Sequence, residues 1–376
     1  MTKRQAPPSP PRGAPSIEAV GRYLSLLHGA FVEVSALERI GQGDGDDPKG
    51  YGYGKPLLVR YQVKGEDRRA VVATVSPGSF SHEQMSDRAQ LLLWNHASYN
   101  ELPRHVRSLD VGGFRRSGEM VSLGDVEEMF QLVEFADGAP YADDLIRMLA
   151  TGDELTALDL ARCDALADYL AQIHRRRGPT ESTLYARHVR ELVGHGECIM
   201  GLADSYPERH DDMEFRPRLE RIEKACVHWR WMIRDRGHRL RQRHGDFHPW
   251  NLLFPAGSSA PVILDRSRGV WGDPADDVVC LGLNYLFFSL QRHGRLAGGF
   301  GDLFRRWFDR YLRATGDYEL LEVAAPYVAF RALVMASPVW YPRLDGAVRA
   351  ALFAFVERVL DAPRLDLDRV DELCRP

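Results

Sequence analysis

His244-Gly-Asp-Phe-His-Pro-Trp-Asn251, followed fourteen residues later by Asp265 at the end of the apolar run Val262-Ile-Leu, is the stretch that decides how this chain reads. Asp246 offers a carboxylate able to meet a hydroxyl group. Asn251 and Asp265 offer the hard oxygen ligands that Mg²⁺ prefers. His, Gly and Pro in the same loop fix backbone shape and hydrogen bonding. Those are the three requirements of phosphoryl transfer from a nucleotide: a group to align the acceptor, oxygens to hold the metal against the phosphates, and a rigid loop between them. His244 and His248 stand four apart, a spacing that on a helix would suggest zinc. Gly245 and Pro249 oppose a helix there and no third ligand is near, so a zinc site is not expected.

The loop resembles that of the aminoglycoside phosphotransferase/choline kinase-like family, a branch of the protein-kinase-like fold. The family's HGDxHxxN is matched at His244, Gly245, Asp246, His248 and Asn251, its metal strand at Val262–Asp265, and its GDPxxD at Gly272–Asp277. Residues 130–138 resemble the family's hinge strand, and residues 166–174 the helix beneath its active site. The resemblance implies an α+β, bilobal fold with a small β-rich N-lobe and a larger, mostly helical C-lobe. It implies ATP or GTP and Mg²⁺ as cofactors, and a hydroxyl of a small metabolite or antibiotic as acceptor. Asp246 would accept or orient the hydroxyl proton, and Asn251 and Asp265 would hold the metal. His244 and His248 would brace the loop, Asp277 with Asp273 would anchor the following helix to it, and backbone groups at Glu134 and Ala136 would bind the base.

The nucleotide side departs from the family pattern. Residues 70–75 form the strand where the fold expects a phosphate-binding lysine, at Val72 or Ala73, yet no lysine occurs between Lys64 and Lys224. Arg60, Lys55 and Lys64 are the candidate replacements, and Glu83 or Asp87 the candidate partner acid. The glycine-rich stretch 41–54, with Gly43, Gly52 and Gly54, could bring backbone N–H groups to phosphates. Asp44, Asp46 and Asp47 would repel them, so a hairpin tip is an equal reading. These departures leave an alternative function, a kinase-like nucleotide- or ligand-binding regulator with little catalysis.

Outward from the loop, the sequence predicts a Pro-rich disordered arm at 1–15, an N-lobe at 16–136 and a C-lobe at 137–376, with a hinge near 134–138. In the first part it predicts helices at 16–28 and 82–99, strands at 57–63, 69–75, 106–111 and 129–135, and a hairpin turn at 64–67. In the second, helices are predicted at 155–176, 187–204, 219–241, 278–290, 304–312, 323–335 and 347–360, by apolar periodicity. Asp143 and Asp144 read as a helix start, and Trp229, Trp231, Trp307 and Trp340 as helical core.

The 376 residues are 44% hydrophobic and 27% charged, ordinary values for a globular protein. Forty-nine Lys and Arg against 53 Asp and Glu give a net charge of −4, which opposes a nucleic-acid binder. No apolar run reaches the roughly 18–20 residues of a membrane helix, and the first residues lack the apolar core of a secretory signal. The five scattered cysteines read as reduced, buried thiols in a cytoplasmic protein. A homodimer is left open. Only five of the 49 basic residues are lysine, leaving 44 arginines.

Overall fold

The computed structural model describes residues 15–40, 54, 56–78, 81–179, 182–266 and 268–375. They divide into two compact units, residues 1–133 and 134–376.

In the first unit, helix α1 (Ile17–His28) starts where the Ser16 hydroxyl accepts the Ala19 N–H at 3.1 Å and stops at Gly29, φ 59°. A hydroxyl N-cap and a left-handed glycine are the standard means of ending a helix. Strands β1 (Val32–Arg39), β2 (Leu57–Val63) and β3 (Glu66–Val72) pair antiparallel in that order. Lys64 (φ 49°) and Gly65 (φ 81°) are both left-handed, so the hairpin closes in two residues rather than four. That tighter turn moves β3 toward the N-terminus of the expected 69–75. Val59, Tyr61 and Val63 alternate onto one face and cluster with Val20 and Leu24 of α1.

Helix α2 (Met85–Tyr99) fills the expected 82–99, capped where the Gln84 N–H donates to Asp87 at 2.8 Å. The expected strands at 106–111 and 129–135 are absent. A short hairpin of β4 (Gly112–Phe114) and β5 (Met120–Ser122) stands in this region instead. Residues 129–135 have high β propensity but no strand pairs with them. Phe130, Leu132 and Phe135 are 92%, 90% and 89% exposed. A strand is stabilised by its partner more than by its own residues.

The second unit opens with β6 (Ala139–Pro140) and α3 (Tyr141–Thr151), whose first turn holds Asp143 and Asp144 as expected. In α4 (Ala157–His174) Leu166 and Leu170 face inward as expected. Leu158, Ala161 and Ile173 lie at the margin, and Asp159, Cys163 and His174 take the inner face. The expected helix 187–204 is two, α5 (Ser182–Gly194) and α6 (Ile199–Asp204). Gly201 packs so closely on Gly196 that a Cβ would lie 1.9 Å from its carbonyl oxygen, and the chain bends between them.

After the hairpin β7 (Arg209–His210) and β8 (Met213–Glu214) comes α7 (Arg216–Ile233). Short strands β9 (Arg241–Gln242), β10 (Leu252–Phe254), β11 (Val262–Ile263) and β12 (Trp271–Gly272) follow. β10 lies between β6 and β11, and β9 pairs with β12. Helix α8 (Pro274–His293) is buried on every side from Pro274 to Leu290, the mark of a central core helix. Around it pack α9 (Gly298–Thr315), α11 (Ala325–Ala336) and α12 (Gly346–Asp361), with α10 (Leu320–Val323) and α13 (Val370–Leu373) as short additions. Pro326, in the first turn of α11, makes it a new helix inside the expected 323–335, since proline lacks the N–H that would continue the previous one. Trp229 and Trp307 are core, whereas Trp231 and Trp340 are 59% and 64% exposed, against expectation. All five cysteines are free and buried. No described helix is long and apolar enough to cross a membrane.

Candidate active site

The loop between β9 and β10 is shaped by its own residues and by the first turn of α8. Gly245 has φ 96°, and a Cβ there would lie 3.0 Å from Arg268 Cβ and 3.1 Å from Arg243 Nη1. Only glycine serves at such a point. Phe247 is fully buried, stacked between Tyr169 and Trp307 at ring distances of 6.0 and 6.3 Å, and pins the loop to the core. The His248 N–H donates to the Asp246 carbonyl (2.9 Å) and the Asn251 N–H to the His248 carbonyl (3.0 Å), so the loop is a chain of tight turns.

Asp277, fully buried on α8, accepts the His244 N–H at 2.7 Å and the Gly245 N–H at 2.6 Å. It also accepts His174 Nε2 at 3.0 Å, and His174 Nδ1 meets the Tyr311 hydroxyl at 2.7 Å. Burial alone would raise this carboxyl. The hydrogen bonds from His174 and from the Gly245 N–H outweigh it and hold Asp277 down at about 2. Asp273 caps α8 by accepting the Ala275 N–H (2.9 Å) and pairs with Arg239 at 2.7 and 2.9 Å. Asp276 accepts from Arg243 and from Arg331. Asp277 thus gathers two of the loop's N–H groups at the N-terminus of α8, whereas Asp273 caps that helix and binds Arg239 without touching a loop amide.

His244 Nε2 lies 2.7 Å from the Leu264 carbonyl, so it carries the proton, and Nδ1 is free to accept the Asp246 N–H at 3.2 Å. This histidine ties the loop to the segment leading to Asp265. His248 Nε2 lies 3.5 Å from Asp246 Oδ2. The Asp246 side chain is 17% exposed, and its Oδ1 accepts Arg331 Nη1 at 2.5 Å. Burial would raise its carboxyl, but hydrogen bonding and charge from His248 and Arg331 hold it well below the carboxylate range, so it is ionised.

Asn251 donates Nδ2 to the Asp246 carbonyl (3.1 Å), and its own carbonyl accepts the Leu264 N–H (2.8 Å). With Leu252 opposite Ile263 in the β10–β11 ladder, that bond brings Asn251 alongside the residue before Asp265. Asp265 is exposed and left-handed at φ 49°, a conformation Asp tolerates better than most residues. Asn251 retains a side-chain oxygen once its amide is committed, and Asp265 offers a carboxylate. The pair suits Mg²⁺, which takes one or two protein oxygens and keeps its waters or phosphates. Among the described residues no group of three or more His, Cys, Asp or Glu side chains is gathered around a metal position.

The other expected site residues are not part of this loop. Arg60, in β2, is half-exposed and paired with Glu38 at 3.0 Å. Lys64 is in the hairpin turn and Asp87 in the cap of α2. Gly54 forms an isolated bridge with Val75, while Gly43, Gly52 and Lys55 lie outside the described residues. Glu134 and Ala136 are in irregular chain at the start of the second unit.

Two side chains central to the loop were missed from sequence, Arg331 and His174. The first sits in an otherwise apolar helix 85 residues beyond Asp246, and the second 103 residues before Asp277. No local pattern marks Arg331, whereas His174 closes the stretch 166–174 already likened to the helix beneath the active site, though it was not singled out there.

Residues 58–327 match the model of the phosphotransferase enzyme family. Solved structures similar to the chain include a type VIII aminoglycoside-3'-phosphotransferase at 18% identity, covering 80% of this chain and 93% of that one, TM-score 0.33. A spectinomycin phosphotransferase is 13% identical, with 94% and 96% covered and TM-score 0.31. An ethanolamine kinase from Plasmodium vivax is 10% identical, with 91% and 82% covered and TM-score 0.32. Curated protein sequences give no significant match.

Proposed function

This chain belongs to the phosphotransferase enzyme family, and from that premise we propose that it transfers the γ-phosphoryl group of ATP or GTP to a hydroxyl of a small molecule, with Mg²⁺ on the phosphates. The observation that carries the reading is the Asp246 carboxylate, with Oδ1 bound by Arg331 at 2.5 Å and Oδ2, 3.5 Å from His248, available to the acceptor. In the reaction the acceptor oxygen attacks the γ-phosphorus, and the bond from that phosphorus to the β–γ bridging oxygen breaks. ADP or GDP leaves with the bonding electrons, and the hydroxyl proton passes to Asp246 and then to solvent. A carboxylate held so far below its ordinary range is a weak base. Its main work is therefore to orient the hydroxyl and take the proton late, which suits a loose transition state with little demand on the nucleophile.

Asn251 and Asp265 would hold the metal, whose charge would offset that developing on the phosphates. Gly43, Gly52, Gly54 and Arg60, with backbone groups at Glu134 and Ala136, would contact the nucleotide. The test is a screen for ADP or GDP release across hydroxylated metabolites and antibiotics, repeated with Asp246→Asn. That variant is expected to keep its fold and lose about 10²–10⁴-fold in kcat. Near-native turnover would sink the assignment. One observation favours a second reading as a nucleotide-binding regulator, the lack of any lysine in β3. Thermal stabilisation by MgATP, with no turnover on any acceptor, would select it.

A further inference from the structure

We infer that Arg331 is the positioning residue that aims the Asp246 carboxylate, leaving Oδ2 as the oxygen offered to the acceptor hydroxyl. The inference rests on the proposed acceptor-side role of Asp246. It concerns a residue outside the family match, which ends at residue 327.

Arg331 projects from α11 with its side chain 6% exposed and its Cζ 4.7 Å from the Phe330 ring centroid. Nη1 donates to Asp246 Oδ1 at 2.5 Å, while Nη2 donates to the Gly245 carbonyl at 2.8 Å and to Asp276 Oδ1 at 2.9 Å. One guanidinium therefore holds the carboxylate, the peptide just before it and the first turn of α8. Gripping a side chain and its preceding carbonyl together fixes the side-chain torsions against the backbone. Asp277 holds the N–H groups of His244 and Gly245 from the same turn of α8, so the loop is fastened along both edges. His248 Nε2, 3.5 Å from Oδ2, makes the longer and weaker contact, so Arg331 at 2.5 Å sets the direction of the carboxylate. A lysine could not replace this arrangement, because a compact ammonium lacks the planar fork that reaches three acceptors at once.

The test compares Arg331→Lys and Arg331→Met, each alone and combined with Asp246→Asn. ADP or GDP release is measured from MgATP and MgGTP, with water and with the best acceptor from the screen, and affinity is followed with a fluorescent ADP analogue. Both single variants are expected to bind the analogue within about threefold of the native protein and to lose about 10²-fold in turnover, the effect of misplacing a reacting group by about an ångström. In the Asp246→Asn background either change should cost less than about threefold more, because Arg331 acts through Asp246. If Arg331→Met does not fold, Arg331→Lys decides. Near-native turnover in the single variants, a matching loss of nucleotide affinity, or the full loss repeated in the Asp246→Asn background would overturn the positioning role. Near-native turnover of Asp246→Asn itself would instead overturn the reading of Asp246, and this inference with it.

Discussion

Asp246 and Asp265 carry the same functional group in opposite surroundings. The first is largely buried with one oxygen committed to Arg331, and the second is exposed at a left-handed backbone position. Environment rather than residue type would separate the proposed acceptor-aligning group from the proposed metal ligand, as in other sites that use two carboxylates for two tasks. The same logic governs a histidine with no part in the chemistry. His188 on α5 is 6% exposed, its Nε2 lies 2.9 Å from the Tyr327 hydroxyl, and burial with the nearby Arg243 charge pushes its pKa from 6.5 down to about 4. The folded protein thus keeps this ring neutral at a pH where the unfolded chain would protonate it. Its stability is whole above about pH 6.5 and is lost as the pH falls toward 4, by about 3 kcal/mol in all. Urea unfolding from pH 7 to pH 4 is expected to show the loss in the native protein and a shallower one in His188→Asn. Parallel curves for the two would contradict it.

At the scale of elements, the N-terminus of α8 organises the site. Asp273, Asp276 and Asp277 lie within one turn and bind Arg239, the two arginines Arg243 and Arg331, and the loop amides. Asp277→Ala would strand two buried N–H groups and the His174 ring, each worth about 1–3 kcal/mol when unsatisfied. It is expected to lower unfolding free energy by about 3 kcal/mol, with loop-dependent turnover falling alongside. A loss under about 1 kcal/mol in urea unfolding would show that the loop holds without it. The loop itself was legible in sequence because it is contiguous: eight residues carry the proposed acceptor-aligning carboxylate, a bracing histidine and one of the two proposed metal ligands. Helix starts such as Ser16 and Asp143–Asp144 were legible for the same local reason. Residues 129–135 were misread because their propensity suits a strand but the partner a strand needs is supplied by tertiary structure. Arg331 was missed because its meaning lies in what α11 packs against.

For the whole molecule, charge bears on the acceptor. Residues 295–376 hold twelve acids and twelve arginines. Around the loop, Asp246, Asp273, Asp276 and Asp277 are each neutralised by donors of the protein itself. Asp265 is the acid there with an exposed side chain, and the proposed metal role claims it. A polycationic acceptor needs carboxylates free to pair with its ammonium groups, and those around the loop are already paired within the protein. Acceptors with no more than one positive charge are therefore the expected substrates under the proposed function. In the ADP- or GDP-release screen such hydroxyl compounds are expected to give kcat/KM at least about tenfold above polycationic aminoglycosides, a difference of about 1.4 kcal/mol in transition-state binding. If a polycation proves the best acceptor, carboxylates outside this loop must supply its site, and the balance of charge around Asp246 does not set specificity.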